Sequence, residues 1–144
     1  MKNIFKNSYI IIAVILFTAI ASSCSKDTES AKLALSYKML ADKTWYLDYL
    51  QTITGTTVKT KTYIGQSTYF INFLSDNTTL DSDGISGTYT VVNANGQLNI
   101  MVTAKTAGGN VVEYDYHVES IGAKVLVMSY VSASTLNKFY YSSK

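Results

Sequence analysis

From Thr44 onward, short runs of β-branched and aromatic residues alternate with clusters of Gly, Asn, Asp and Ser. This rhythm constrains the fold more than any other feature, because each run has strand length and each cluster suits a hairpin turn. The runs fall at about 44–52, 57–64, 67–74, 78–81, 86–92, 97–104, 110–118, 124–131 and 137–142. Between them lie TG, GQ, SDN, SDG, NANG, KTAGGN, ESIGA and SAST. No long helical stretch separates the runs, so they predict antiparallel meanders and not parallel βαβ units. The chain contains no proline, which leaves neither a Pro-rich linker nor a cis-proline turn to accommodate.

Alternation within the runs sets the faces. Leu98, Ile100 and Val102 share one side of their strand, with Gln97, Asn99 and Thr103 on the other. Val112, Tyr114, Tyr116 and Val118 share a side, opposite Glu113, Asp115, His117 and Glu119. Sheets with one dry and one wet face follow. Eight or nine such strands in about 100 residues close most naturally into an up-and-down barrel, or fold as a sandwich. Closure also removes exposed sheet edges. Upstream, DTESAKLALSYKMLA (Asp27 to Ala41) predicts a short helix. Asp27 or Thr28 caps it, and Leu33, Tyr37 and Leu40 form a stripe that packs on the domain.

The N-terminus has a different character. MKNIFKN carries two lysines, and after Ser8 the thirteen residues YIIIAVILFTAIA carry no charge. Ser22 and Ser23 then precede Cys24, the only cysteine. A positive head, a short apolar run and a small-residue cleavage region describe a secretory signal too short for a comfortable membrane span. With cysteine at the cleavage point, Ala21-Ser22-Ser23-Cys24 resembles the lipobox of bacterial lipoproteins, although that family usually has leucine where Ala21 stands. The resemblance implies cleavage before Cys24, a diacylglycerol on its thiol and a further acyl chain on the new amine. Several chains together give stable anchoring where one is marginal. Ser25, in place of an aspartate, points within that family to the outer membrane of a diderm bacterium, on its periplasmic or cell-surface face.

Composition excludes other classes. All 12 basic residues are lysine. Arginine, the preferred clamp for phosphate and carboxylate, is absent. From Cys24 onward ten lysines balance ten acids, so the mature chain lacks the electrostatic footprint of a nucleic-acid binder.

The order of features also resembles the lipocalin-like domains of bacterial lipoproteins, over roughly residues 30–144. The residues that carry it are a short helix, then LADKTWYLDYL with Trp45 opening the first strand. YFINFLSDNTTLDSDGISGTYTVVNANGQLNIMV follows, with KVLVMSYV and NKFYYSSK at the end. Lys43 stands where lipocalins usually place a glycine, and no arginine is available to stack on Trp45, which leaves Lys138 for that role. The resemblance implies an all-β fold, a lipocalin-like barrel of eight or nine strands with a short N-terminal helix. It divides the chain into a signal peptide (1–23), a lipidated tether and helix (24–41) and the barrel (42–144).

The chain offers little to a catalytic reading. His117 shares a face with Glu113, Asp115 and Glu119, but same-face neighbours on one strand lie about 7 Å apart, too wide for one ion without a second strand. DNTTLDSDG lacks the ligand order of an EF-hand. No G-x-S-x-G elbow or phosphate loop is present. The expectation is a non-enzyme without metal or cofactor. It is a binding module for a small apolar ligand, with Trp45, Phe70, Leu98, Ile100, Tyr114 and Tyr116 as candidate lining residues. The alternative is a structural component of a cell-envelope complex with a side-chain-filled barrel. The expected partners are the membrane, through Cys24, and a small hydrophobic ligand or an envelope protein.

Overall fold

The computed structural model describes residues 28–106 and 108–144. The segments expected to form a signal peptide and lipobox, with Cys24, lie outside the described residues. A single helix, α1, covers residues 28–40. No helix among the described residues is long and apolar enough to cross a membrane. Leu35–Lys144 form one compact unit. Nine strands follow α1: β1 (Lys43–Thr54), β2 (Thr57–Thr62), β3 (Phe70–Phe73), β4 (Thr78–Asp81), β5 (Ser86–Ala94), β6 (Gln97–Lys105), β7 (Val111–Ile121), β8 (Val125–Ser132) and β9 (Thr135–Ser143).

All neighbouring strands are antiparallel, and the order is β2-β1-β3-β4-β5-β6-β7-β8-β9. β9 returns to pair with β1 from Trp45↔Ser143 to Thr54↔Thr135. This contact closes an eight-stranded up-and-down barrel and leaves β2 as an extra strand. The tight connections use the expected chemistry. Asn95 and Gly96 both have positive φ (55° and 79°), the geometry that matches a two-residue hairpin to the twist of its strands.

The sequence predicts strands running to 64 and from 67, but residues 63–69 are not strand. β2 pairs with the far half of β1 and β3 with its near half, on the same edge. β2 and β3 are therefore one strand interrupted by an excursion. The break is pinned at both sides. Tyr63 N donates to Asp48 O (2.7 Å), and Leu47 N donates to Tyr69 O (2.9 Å). On the opposite edge of β1 the register with β9 shifts between Leu47 and Tyr49. A bulge at Asp48 therefore bends β1 where the excursion leaves, and bulges are the usual device for such bends.

The core fills one end of the barrel. Leu40, Trp45, Phe73, Ile100, Leu126 and Met128 are essentially inaccessible. Trp45 Nε1 donates to Leu40 O (2.9 Å), so the end of α1 caps the strand that carries the tryptophan. Tyr37 stacks on Tyr89 (6.1 Å between ring centroids) and donates its hydroxyl to Ser75 O (2.8 Å). Lys43, not Lys138, lies against the tryptophan, with Nζ 5.4 Å from the ring centroid. The register explains the difference. Lys138 pairs with Gln51, five pairs from Trp45↔Ser143, about 17 Å away at strand rise. Lys138 instead forms an ion pair with Glu119. Gly87 sits where a Cβ would meet Thr103 O at 2.2 Å and Ala104 Cα at 2.5 Å. It is a tight corner of the wall that only glycine fits.

Candidate functional site

The walls of the barrel are unequal. β5 to β9 have 8 to 11 residues, whereas β3 and β4 have 4 each. The short side leaves a gap that only loops border. The β2–β3 excursion contributes Tyr63 and Tyr69, the end of β4 contributes Asp81, and the turn after it contributes Ser82 and Asp83. Facing them are Leu47 of β1, Tyr116 of β7, and Phe139 and Tyr141 of β9, with Phe70 and Ile71 of β3 completing the lining. They enclose a mouth cavity of ≈ 240 Å³. A small void of ≈ 20 Å³ adjoins it, sharing Ile71, Asp81 and Tyr116 and adding Tyr114.

The mouth is aromatic. Tyr63 and Tyr69 meet at 4.6 Å between centroids. Tyr116 meets Phe139 edge-on at 6.2 Å, and Phe139 stacks with Tyr141 at 6.2 Å. Tyr130 extends the cluster, stacked on Phe139 at 5.8 Å. These offset and edge-to-face geometries are the favoured ones. The hydroxyls of Tyr116 and Tyr141 make no hydrogen bond with the described residues, and both side chains are half-buried. Burial pushes the Tyr116 phenol up, with smaller contributions from Tyr114, Tyr130 and Asp81. Burial raises Tyr141 too, followed by Tyr116 and Asp81. Both phenols are therefore neutral donors at physiological pH.

The lining contains two carboxylates and no lysine. Asp81 Oδ1 accepts from Asp83 N and Ile85 N, both at 2.9 Å. Oδ2 accepts no hydrogen bond from the described residues. Burial raises the Asp81 carboxyl above its ordinary value, the two backbone donors oppose that rise, and the Asp83 charge adds to it.

The sequence-predicted lining residues are dispersed. Phe70 and Tyr116 line the mouth, and Tyr114 lines the adjoining void. Trp45 and Ile100 are packed in the core, and Leu98 is partly buried against it. Cys24 is outside the described residues. The mouth also draws on Tyr63, Tyr69, Asp81, Phe139 and Tyr141, which sequence reasoning did not place together. Phe139 and Tyr141 carried a signal, since they share a face two residues apart. Asp81 carried none, because its position depends on barrel closure.

A second concavity of ≈ 570 Å³ lies on the outer wall over β4 to β6, rimmed by Leu74, Leu80 and Val111. It is an open saddle at the Gly87 corner with mostly threonine and aliphatic lining. The mouth is smaller but less open, and it brings aromatic side chains together with convergent polar groups, a combination found in ligand sites. His117 Nδ1 lies 3.3 Å from Asn99 Oδ1. Among the described residues, no three His, Cys, Asp or Glu side chains are grouped as metal ligands. Comparison with protein-family models, curated proteins and solved structures finds no match to this chain.

Proposed function

We propose that this chain is an outer-membrane lipoprotein, anchored through acyl chains on Cys24. Its lipocalin-like barrel serves as a non-catalytic binding module for a small, mostly apolar molecule. The aromatic mouth cavity carries the binding role. Its volume falls below the roughly 300–1,000 Å³ of sites for drug-sized ligands, so the ligand is compact. The anchor rests on the charged head, apolar run and small residues before Cys24.

N-phenyl-1-naphthylamine, a neutral fluorescent probe, tests the binding role. Saturable enhancement at one probe per chain, lost when Tyr116→Trp fills the mouth, is the expected result. Absence of saturable binding overturns the reading. For the anchor, Cys24→Ala abolishes acyl-chain labelling in cells, and unchanged labelling refutes it. A structural role in an envelope complex is the second reading. It is favoured by the filled inner end of the barrel and the exposed apolar rim at Leu74, Leu80 and Val111. Stoichiometric co-purification of an envelope protein from mildly solubilised membranes would support it.

A further inference from the structure

The mouth brings together three features that an apolar ligand alone does not need. It holds a carboxylate with a free oxygen, Asp81 Oδ2, beside aromatic walls from two sides of the barrel. Its lining has no cationic side chain, and Lys61 stands outside it, against Tyr63 at the rim. Two phenol hydroxyls, Tyr116 and Tyr141, keep unused hydrogen-bonding capacity at the same place. A neutral hydrocarbon would leave all of these groups unsatisfied, and burying polar groups without partners is unfavourable.

An organic cation satisfies them. Ammonium groups are attracted to the faces of aromatic rings, and several rings around one cation form a recognised binding cage. The chain shows this affinity at the rim of the site, where Lys61 Nζ lies 4.9 Å from the Tyr63 ring centroid. Tyr63 also lines the cavity, so its ring is shared between Lys61 and the cavity.

We infer that the mouth recognises a small organic ammonium ion with an apolar or aromatic tail, with Asp81 as its counter-ion and Tyr63, Tyr69, Tyr116 and Tyr141 as its aromatic cage. The inference rests on the binding role proposed above and names the ligand class for that site. Asp83 sits at the exposed outer rim and adds to the negative field that draws a cation in. Ser82 between them offers a hydroxyl to an ammonium hydrogen or a tail substituent.

The experiment is calorimetric titration of the full-length protein in nonionic detergent with phenethylamine, a cation at neutral pH, and with 3-phenylpropanol, its neutral counterpart. The expected result is about tenfold tighter binding of the ammonium, the scale of one charge-assisted contact. Asp81→Asn keeps the Oδ1 acceptor for the Asp83 and Ile85 amides, so the turn is preserved. This variant is expected to bring the two affinities within about twofold of each other by weakening only the ammonium. Equal affinities in the unsubstituted protein overturn the inference and leave the cavity reading standing. Binding of neither compound overturns both. Equal weakening of both ligands by Asp81→Asn also overturns the inference. So does a selective loss seen with Asp83→Asn in place of Asp81→Asn.

Discussion

Asp81 holds a charge where burial works against it. Desolvation outweighs the Ile85 and Asp83 backbone donors and leaves its carboxyl above the ordinary range. An acid raised on folding binds its proton more readily in the folded state. Its ionised form therefore reduces stability once pH exceeds both its unfolded and its folded values, and the loss fades as pH falls back through them. Asp81→Asn is accordingly expected to raise the melting temperature at pH 7. The group is half-exposed, so solvent screening keeps the gain to about 1–3 °C. Melting curves of both proteins should converge near pH 3, below the ordinary aspartate value of about 3.9. A lower melting temperature for the variant at pH 7 would refute this account. A carboxylate that costs stability in a cleft is a functional-site candidate. Ala133 illustrates strain without that benefit. It has φ of 54° in the β8–β9 turn, a region that disfavours a Cβ. Ala133→Gly should stabilise the protein by about 0.5–1 kcal/mol in chemical denaturation, and a loss of stability would exclude the strain.

At the scale of the element, β2 leaves a whole edge free. It ends the sheet order, and all six of its residues are exposed. Free edges invite pairing with another chain, and lysines on the edge are a common defence. Lys59 and Lys61 occupy alternate positions there. Replacing both, Lys59→Val with Lys61→Val, should produce concentration-dependent dimers or larger species in size-exclusion chromatography. A variant that stays monomeric at high concentration would show that the edge is protected by twist alone. The strands were largely legible in the sequence, because β-branched runs, period-two alternation and turn residues are all local signals. Their interruptions were not. The bulge at Asp48, and the shift between Val118 and Ser120 in β7, count residues on one strand against its partner. No single strand's periodicity records that difference. The excursion at 63–69 was hidden for the same reason, since Tyr63 and Tyr69 have good strand propensity and leave the sheet only because β1 bends.

At the scale of the whole molecule, one contact decides both fold and site. The barrel exists because β9 pairs with β1, and the mouth exists because that closure carries Phe139 and Tyr141 round to face Tyr63, Tyr69 and Asp81. The alternation of each strand shows which residues point inward but not which strand the last one meets. A sandwich made from the same strands would satisfy the same pattern, so the members of the site could not be assembled from sequence. Closure can be tested by a covalent link. Thr54 and Thr135 are paired at the end of the β1–β9 ladder, with their hydroxyl oxygens 3.0 Å apart. That proximity suits the Cβ separation of about 3.5–4.5 Å found in disulfides. In a Cys24→Ser background, Thr54→Cys with Thr135→Cys should oxidise without distortion and move faster on non-reducing gels. The closed loop spans most of the barrel, so the oxidised protein should be more stable than the reduced form by about 2–4 kcal/mol. In a sandwich these positions belong to strands that need not meet, and the thiols would stay free. Failure to oxidise would therefore refute closure. It would also remove the mouth cavity, because no other pairing brings β9 against the excursion that lines it.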